Sequence, residues 1–312
     1  MIKPGTFDIR YVKLRFTIEF PDGGAVPVYK TSALRGGMGE MLLRTNCVRD
    51  RVCEKCDFET ECIVRRIMYP KLDILPSFMS SGDSVGFVIE CNDYRDNLHP
   101  GDLLRFNLLL FGKTIVYFSQ FLNAFYALGR NGLGTEKSRF QIVSVTNIRG
   151  KPIVEGENVY MKNYTIERVT DCIAFRKKQF TGDDSERTIR FTTPLSVKYR
   201  GKLLERFVPE ALIEAACRRI YMLDCFEGID SNVHDKDFIE TLTVPETVRE
   251  THVSYSVRRY SNHQGSAMYL NGIEGELCVD EFGDELLEIM LAGELLHIGK
   301  TTSFGFGEYR IA

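Results

Sequence analysis

Polar and apolar positions along the first half of the chain predict a series of strands and helices. Within residues 10–20, polar and apolar side chains alternate from Lys13 to Phe20, which is typical of a half-buried strand. The apolar spacing beyond them predicts a helix from 31 or 32 to about 45, strands over 84–90 and 103–111, a helix over 115–128 and a strand over 139–145. This half therefore has the order β-α-β-β-α-β.

The same order of elements recurs in the second half. The predicted elements there are a strand over 189–199, a helix over 209–223, strands over 253–260 and 269–279, a helix over 284–296 and a closing strand at 309–311. A repeat of this length indicates a duplicated domain rather than a solenoid. We therefore predict an α+β protein with two tandem ferredoxin-like (βαββαβ, RRM-like) domains, at 1–150 and 186–312, joined by an extended connector over 151–185.

Composition describes a globular protein of a reducing compartment. The chain has 312 residues, of which 44% are hydrophobic and 27% charged, enough for two domains with ordinary cores. No apolar run approaches the roughly 18 residues of a membrane span, and the start lacks an apolar signal core, so we expect a cytoplasmic protein without membrane partners. The net charge of −3 argues against a uniformly basic nucleic-acid binder but permits a local basic face.

Four of the nine cysteines fall within sixteen residues and form a cysteine-rich insertion, 47–62, in the first domain. They are Cys47, Cys53, Cys56 and Cys62, with two residues between the middle pair. We predict a structural Zn²⁺ bound by all four, because four thiolates complete a tetrahedral site and leave no position for a catalytic water. An iron–sulfur cluster, a redox pair and unligated buried cysteines are the alternatives.

The connection from the last helix to the last strand is rich in glycine. Gly299, Gly305 and Gly307 lie in it, together with the cation of Lys300. Glycine permits positive φ and close backbone approach, so the loop can set N–H groups against a phosphate, although most such loops are plain connectors. Arg258 and Arg259 lie beside Tyr255 and Tyr260, a combination that suits RNA phosphates and bases or else a solvated strand face.

Four stretches of the chain resemble one family in the same order. Residues 299–307 resemble the C-terminal glycine-rich loop of the CRISPR-associated pre-crRNA processing endoribonucleases, members of the RAMP superfamily. Residues 33–39 (ALRGGMG), 193–203 (with TPL and GKL) and 259–264 (RYSNHQ) are similar to further blocks of that family. The resemblance covers nearly the whole chain, and the four blocks together are more specific than any one of them.

The resemblance implies a metal-independent endoribonuclease that binds CRISPR repeat RNA and cleaves the precursor transcript into guide RNAs. In that chemistry the 2′-hydroxyl attacks the adjacent phosphate and leaves a 2′,3′-cyclic phosphate and a 5′-hydroxyl, without a catalytic cofactor. A base, an acid and cations are needed for it. The alternative is a non-catalytic RNA-binding RAMP subunit, whose partners would be the other subunits of a CRISPR effector complex.

The assignment of catalytic residues departs from the better-known members of the family. They often carry a histidine on or near the first helix, whereas residues 28–46 contain none. We predict His263 as the catalytic group, with Tyr29 or Lys30 as competing candidates; His263 could equally be an exposed loop residue. Predicted RNA contacts are Arg35, Lys198, Arg258, Arg259, Gly299, Lys300, Ser303, Gly305 and Gly307.

Two features of the predicted first helix have a structural alternative. Arg35 could pair with a carboxylate of the protein instead of RNA. Gly36, Gly37 and Gly39 each cost a helix roughly 1 kcal/mol relative to alanine, so we expect a close approach there, to RNA or to the neighbouring domain.

Overall fold

A computed structural model describes residues 1–51, 53, 56–70, 72, 76, 78, 85–180, 186–261 and 266–312, with the backbone alone for 257–261 and 266–268. The described residues form two compact units. Tyr11–Ile166 make the N-terminal unit, and Met1–Arg10 together with Glu167–Ala312 make the C-terminal unit. The predicted connector 151–185 is thus divided between the units, because its first part forms strands of one and its second part a helix of the other.

The N-terminal unit has the predicted order of elements. Its described strands are β1 (Arg10–Phe20), β2 (Gly24–Ala25), β3 (Phe87–Glu90), β4 (Asn97–Leu98), β5 (Asp102–Phe111), β6 (Gln141–Asn147), β7 (Pro152–Glu155) and β8 (Asn158–Val159). Its described helices are α1 (Lys30–Asn46), α2 (Ile63–Met68) and α3 (Phe118–Asn131), with 3₁₀ turns at Gly112–Tyr117 and Met161–Asn163.

Antiparallel pairing gives the main sheet the strand order β3-β5-β1-β6-β7-β8. The alternation in β1 places Phe16 in the core, where its ring stacks on Phe106 at 4.8 Å and tilts against Phe125 of α3 at 5.2 Å. The sequence β-α-β-β-α-β with order β3-β5-β1-β6 is the ferredoxin-like arrangement, which confirms the predicted fold of this half.

Two of the three helix glycines are explained by packing within the N-terminal unit. A Cβ at Gly37 would lie 2.5 Å from Cδ1 of Leu128 on α3, and one at Gly39 would lie 3.0 Å from Cε of Met68 on α2. Gly36 faces open space. The close approach expected from the sequence is therefore made by neighbouring helices of the same unit.

The C-terminal unit repeats the arrangement. Its described strands are β9 (Glu167–Arg168), β10 (Glu186–Leu195), β11 (Lys198–Tyr199), β12 (Lys202–Leu203), β13 (Thr247–Ser261), β14 (Ser266–Asp280) and β15 (Tyr309–Ile311). Its described helices are α4 (Val169–Lys177), α5 (Pro209–Glu227), α6 (Lys236–Ile239) and α7 (Asp284–Leu296), with a 3₁₀ turn at Thr302–Phe304. The main sheet has the order β13-β14-β10-β15, which is again ferredoxin-like.

The first ten residues belong to the C-terminal unit because they pair with it. The Arg10 guanidinium binds the Glu227 carboxylate through two hydrogen bonds of 3.0 and 2.7 Å, and Lys3 Nζ lies 3.0 Å from both oxygens of Asp230. The amide of Val169 donates to the carbonyl oxygen of Ile9 at 3.0 Å. These contacts extend the unit beyond the second half of the sequence.

A buried ion pair joins α4 to α7. Arg176 Nε and Nη2 donate to the two carboxylate oxygens of Glu294 at 2.8 and 2.9 Å, and Nη2 also donates to the carbonyl oxygen of Ile311 at 2.9 Å. The amide of Ile311 returns a 2.6 Å hydrogen bond to Glu294. The pair therefore connects two helices and the last strand.

None of the helices in the described part of the chain has the length and apolar character needed to span a bilayer.

Candidate functional site

The glycine-rich loop (299–307) is bound to the end of β10. The amide of Gly307 donates to the carbonyl oxygen of Pro194 at 3.0 Å, and the Thr193 hydroxyl donates to the carbonyl oxygen of Gly305 at 2.8 Å. The amide of Lys300 donates to the carbonyl oxygen of Ser196 at 2.7 Å. Two stretches that are about a hundred residues apart in the sequence thus form one structure.

Glycine is required in this loop by the protein itself. Gly299 has φ +86°, and a Cβ there would lie 2.6 Å from the carbonyl oxygen of Ser196. Gly307 has φ +72°, and its Cβ would lie 1.9 Å from the carbonyl oxygen of Ile298. Neither position accepts a side chain without displacing backbone.

The loop does not present all of its amides to a ligand. The N–H groups of Lys300, Gly305 and Gly307 donate to carbonyl oxygens of the protein, and Ser303, Gly305 and Gly307 are buried. The side chain of Lys300 is exposed and Gly299 is half-buried. The RNA contacts assigned to these five residues stay predictions; the exposed ammonium of Lys300 is best placed among them for one.

His297 immediately precedes the loop and is strained. Its backbone has φ 57° and ψ 152°, a combination that residues other than glycine rarely adopt. Its ring is fully buried, with Nδ1 3.1 Å from the carbonyl oxygen of Phe306, so it supports the loop from inside. The carbonyl oxygen of the preceding Leu296 accepts a 3.0 Å hydrogen bond from Arg219 Nε.

A basic hairpin (198–203) follows β10 directly and exposes three cations, Lys198, Arg200 and Lys202. Positive φ at Arg200 (47°) and Gly201 (84°) makes the turn tight enough for β11 to pair with β12. The Arg200 guanidinium lies 5.0 Å from the centre of the Tyr199 ring. The carbonyl oxygen of Ser196 accepts the hydrogen bond from the Lys300 amide, and the hairpin begins two residues after Ser196. The hairpin therefore starts close to the glycine-rich loop.

Other cations of the second half are used within the protein. Lys177 Nζ lies 2.9 Å from a carboxylate oxygen of Glu288, and Arg190 Nε lies 2.7 Å from one of Glu276. Arg258 and Arg259 lie on β13, but their side chains are outside the described residues, as is all of His263. The predictions for those three residues therefore stay predictions.

Lys30 is fully buried at the start of α1. Its Nζ donates to the carbonyl oxygens of Asp93 and Arg95 at 2.8 and 2.5 Å, and lies 3.6 Å from Oδ1 of Asp93. Burial lowers the pKa of this amine, and the Asp93 carboxylate opposes that shift. In this arrangement Lys30 fixes the 93–95 loop to the helix and does not reach solvent.

The two other predicted residues of this region are more accessible. Tyr29, the residue before α1, is half-buried, and its ring lies edge-on to Tyr94 at 6.0 Å. Arg35 is half-buried on α1. The roles predicted for both residues stay predictions.

His252 on β13 is held by a carboxylate. Its Nδ1 lies 2.7 Å from Oε1 of Glu250, which also accepts a 3.1 Å hydrogen bond from the amide of Phe207. The side chain of His252 is 31% exposed. Residues two apart on a strand share a face, so the spacing Glu-x-His could have indicated this pair from the sequence. That spacing is too common in proteins to identify a functional pair by itself.

Another described histidine, His234, is half-buried. Burial lowers its pKa, and the charge of Arg218 lowers it further.

The four clustered cysteines lie on the connection between α1 and α2 and carry free thiols, all half-buried. Cys47 ends α1, with its amide donating to the carbonyl oxygen of Leu43 at 2.9 Å, and Cys62 immediately precedes α2. Burial raises the pKa of the Cys53 thiol, the charge of Arg65 opposes this, and the other three thiols add to it. Four cysteine thiols on one short segment are a donor set of the kind that binds zinc.

Two family models match consecutive parts of the chain. A model described as an N-terminal domain matches residues 9–170, and the model of the CRISPR-associated endoribonuclease Cas6 matches residues 189–309. Together with the two ferredoxin-like units and the terminal glycine-rich loop, these matches indicate a CRISPR-associated, Cas6-like family. The Cas6 model itself matches the C-terminal part of the chain, and the whole chain has the Cas6 fold.

Individual relatives are distant in sequence. An uncharacterised protein of Archaeoglobus fulgidus is 23% identical over 98% of this chain and 99% of its own. The product complex of a Thermus thermophilus Cas6 superposes with a TM-score of 0.56 at 13% identity, covering 96% of this chain and 99% of that one.

A partial Cas6-RT-Cas1–Cas2 complex gives a TM-score of 0.59 at 13% identity over 97% of this chain, which spans 46% of the length of that one. At these identities the structural likeness shows the fold.

Proposed function

We propose that this protein is an endoribonuclease that binds CRISPR repeat RNA and cleaves the precursor transcript into guide RNAs. The observation that supports the proposal is the attachment of the glycine-rich loop to the end of β10, which sets Lys300 beside the basic hairpin in a Cas6-like chain. The exposed cations of Lys198, Arg200, Lys202 and Lys300 can pair with successive phosphates. Tyr199, which lies under the Arg200 guanidinium, can contribute stacking.

The proposed reaction needs no metal. The 2′-hydroxyl attacks the adjacent phosphorus, the bond from phosphorus to the 5′-oxygen breaks, and a 2′,3′-cyclic phosphate and a 5′-hydroxyl result. One group removes the 2′-hydroxyl proton, a second protonates the leaving oxygen, and cations stabilise the negative charge that develops on the phosphorane.

Three residues are candidates for proton transfer. His263 and Tyr29 are the candidates from the sequence. His252 joins them because the Glu250 carboxylate requires a proton on Nδ1, which leaves Nε2 of a partly exposed ring to exchange a proton. Lys30 is the weakest candidate, since its ammonium is buried among carbonyl oxygens.

A second function is favoured by the burial of Lys30 and by the lack of a histidine in residues 28–46. In this alternative the protein holds guide RNA without cutting it, as an RNA-binding subunit of a CRISPR effector complex whose other subunits are its partners. The basic hairpin would serve that function equally well.

Incubation of the purified protein with its cognate repeat RNA, in EDTA and in Mg²⁺, separates the two functions. Circular dichroism in both buffers shows whether the chain stays folded. One cut in EDTA with a 2′,3′-cyclic phosphate end supports the nuclease, and cleavage in Mg²⁺ alone contradicts metal independence. Tight binding without cleavage over about pH 6 to pH 9, a range that covers histidine and approaches tyrosine, supports the subunit. No binding contradicts both functions.

A further inference from the structure

The connection between α1 and α2 is poorly stabilised by its own side chains. Its described apolar residues, Val48 and Phe58, are 79% and 49% exposed. One of its ion pairs lies at the surface, since Arg49 is 3.7 Å from Asp57 and both are largely exposed, whereas Glu59 pairs with the half-buried Arg65. Exposed pairs of this kind contribute little to stability. A segment of this length without a hydrophobic core of its own needs another stabilising interaction to adopt one structure.

The four cysteines span this connection from one helix to the other. Cys47 stands at the last turn of α1 and Cys62 at the first turn of α2, so the two outer cysteines mark the ends of the connection. Between them, the amide of Cys56 donates to the carbonyl oxygen of Cys53 at 3.3 Å, which gives this pair the turn of a Cys-x-x-Cys ligand.

Arg65 provides a second, independent observation. It lies on α2 three residues after Cys62 and therefore on the same side of the helix as that cysteine. Its Nη2 donates to the Glu59 carboxylate, but its Nε is buried and has no hydrogen-bond partner among the described residues. Buried N–H donors of native proteins are almost always satisfied, and a metal-bound thiolate is an acceptor for one.

We propose that Cys47, Cys53, Cys56 and Cys62 bind one Zn²⁺ that joins the end of α1 to the start of α2, and that Arg65 Nε donates to one of the bound thiolates. Each thiol loses its proton on binding, and no electron is transferred. Four protein ligands fill the tetrahedral shell, so the ion is structural. The cation of Arg65 offsets part of the negative charge of the four-thiolate complex.

Elemental analysis of the purified full chain tests the site directly. We expect about one zinc per chain, and its loss from Cys53→Ser and Cys56→Ser. The matched controls are Cys172→Ser and Cys225→Ser, which replace half-buried cysteines outside the connection and should retain zinc. Absence of zinc from the wild-type protein, or equal zinc in all four variants, would overturn the proposal. Iron with acid-labile sulfide and visible absorption would replace it by an iron–sulfur cluster.

A competition titration of the metal-free chain with Zn²⁺ and a coloured chelator tests Arg65. Arg65→Met keeps the apolar stem and removes Nε, and we expect it to weaken zinc binding about 10- to 100-fold. Arg66→Met is the control, because Arg66 Nε already donates to the carbonyl oxygen of Thr60 at 3.1 Å. Equal affinities of the two variants would remove Arg65 from the site. Cobalt in place of zinc should show tetrahedral thiolate spectra that disappear with Cys56→Ser.

Discussion

The amide of Lys300 and the carbonyl oxygen of Ser196 form a 2.7 Å hydrogen bond. This contact fixes the start of the glycine-rich loop to the residue that leads into the basic hairpin. The backbone of Lys300 is thus held while its side chain stays in solvent. A lysine whose backbone is held while its ammonium group extends into solvent can reach a phosphate without a change in the conformation of the loop.

Replacing Lys198, Arg200 and Lys202 by alanine should weaken RNA binding and lower its salt dependence. Each lost phosphate contact reduces the slope of log K against log salt by about 0.7 for a single strand, so the triple variant should lose about 2. Binding is measured at several salt concentrations. Lys236→Ala, which removes an exposed cation from α6, is the control. Equal slopes for the two proteins would show that the basic hairpin does not bind RNA.

Alanine should have opposite effects at two glycines. Gly307→Ala places a Cβ against the carbonyl oxygen of Ile298 at positive φ, and we expect a loss of about 2 kcal/mol or more in the free energy of unfolding. Gly36→Ala lies in a helix and faces open space, so it should stabilise by up to about 1 kcal/mol. Denaturant unfolding measures both variants. A stabilising Gly307→Ala would mean that the loop can adopt another conformation.

Breaking the ion pair of Arg176 with Glu294 should be costly. Arg176→Met removes the two-pronged partner of the buried carboxylate and leaves it the Ile311 amide and, at 3.7 Å, the exposed Arg310, so we expect a loss of about 2 kcal/mol. Arg190→Met removes an exposed partner of Glu276 and should lose less than about 1 kcal/mol. Chemical denaturation compares the two. Similar losses would show that burial of the first pair does not govern its strength.

Stability should fall as pH rises through the titration of Asp224. This carboxyl is fully buried, and burial raises its pKa to about 7 against the weaker opposing contacts of Ser231 and the Phe7 backbone. The unfolded chain releases the proton near pH 4, so between about pH 4 and about pH 7 deprotonation favours unfolding, by at most about 4 kcal/mol. Below that range the effect is absent, because both states are protonated.

The variant Asp224→Asn tests this directly because it removes the titration while keeping the shape. We expect the stability of the variant relative to the wild type to increase from about pH 4 to about pH 7 and to level off above that range, as measured by denaturant unfolding at each pH. Other titrating groups cancel in the comparison. A difference that does not change with pH would contradict a raised pKa.

If His252 transfers the proton, His252→Ala should reduce the cleavage rate by about 10² to 10⁴ while RNA affinity stays constant. Glu250→Gln should also lower the cleavage rate, because the carboxylate that orients the ring through Nδ1 is lost. His99→Ala, an exposed histidine of the N-terminal unit, is the control. Full activity of His252→Ala would leave His263 and Tyr29, tested by His263→Ala and Tyr29→Phe.

Periodicity was sufficient to predict the ferredoxin-like order of both halves, since β1 and α7 follow their apolar patterns closely. It could not predict that residues 1–10 bind the C-terminal unit, because Arg10 and Glu227 are far apart in sequence. The glycines and Lys300 attracted attention as phosphate ligands, whereas the structure shows that Gly299 and Gly307 first serve the packing of the loop. Burial of Lys30 and the strain at His297 depend on tertiary contacts that no local pattern contains.

The attachment of residues 1–10 to the C-terminal unit sets an order on folding during synthesis. This segment leaves the ribosome before the rest of the two units, and Glu227 and Asp230, which bind Arg10 and Lys3, emerge more than two hundred residues later. The N-terminal unit can fold in the meantime, and the C-terminal unit is completed when the chain between its two parts closes as a long loop. Loop closure costs little more for a long loop than for a short one, so the delay is one of time rather than of stability. Separate expression of the C-terminal unit would therefore require residues 1–10 to be supplied with it.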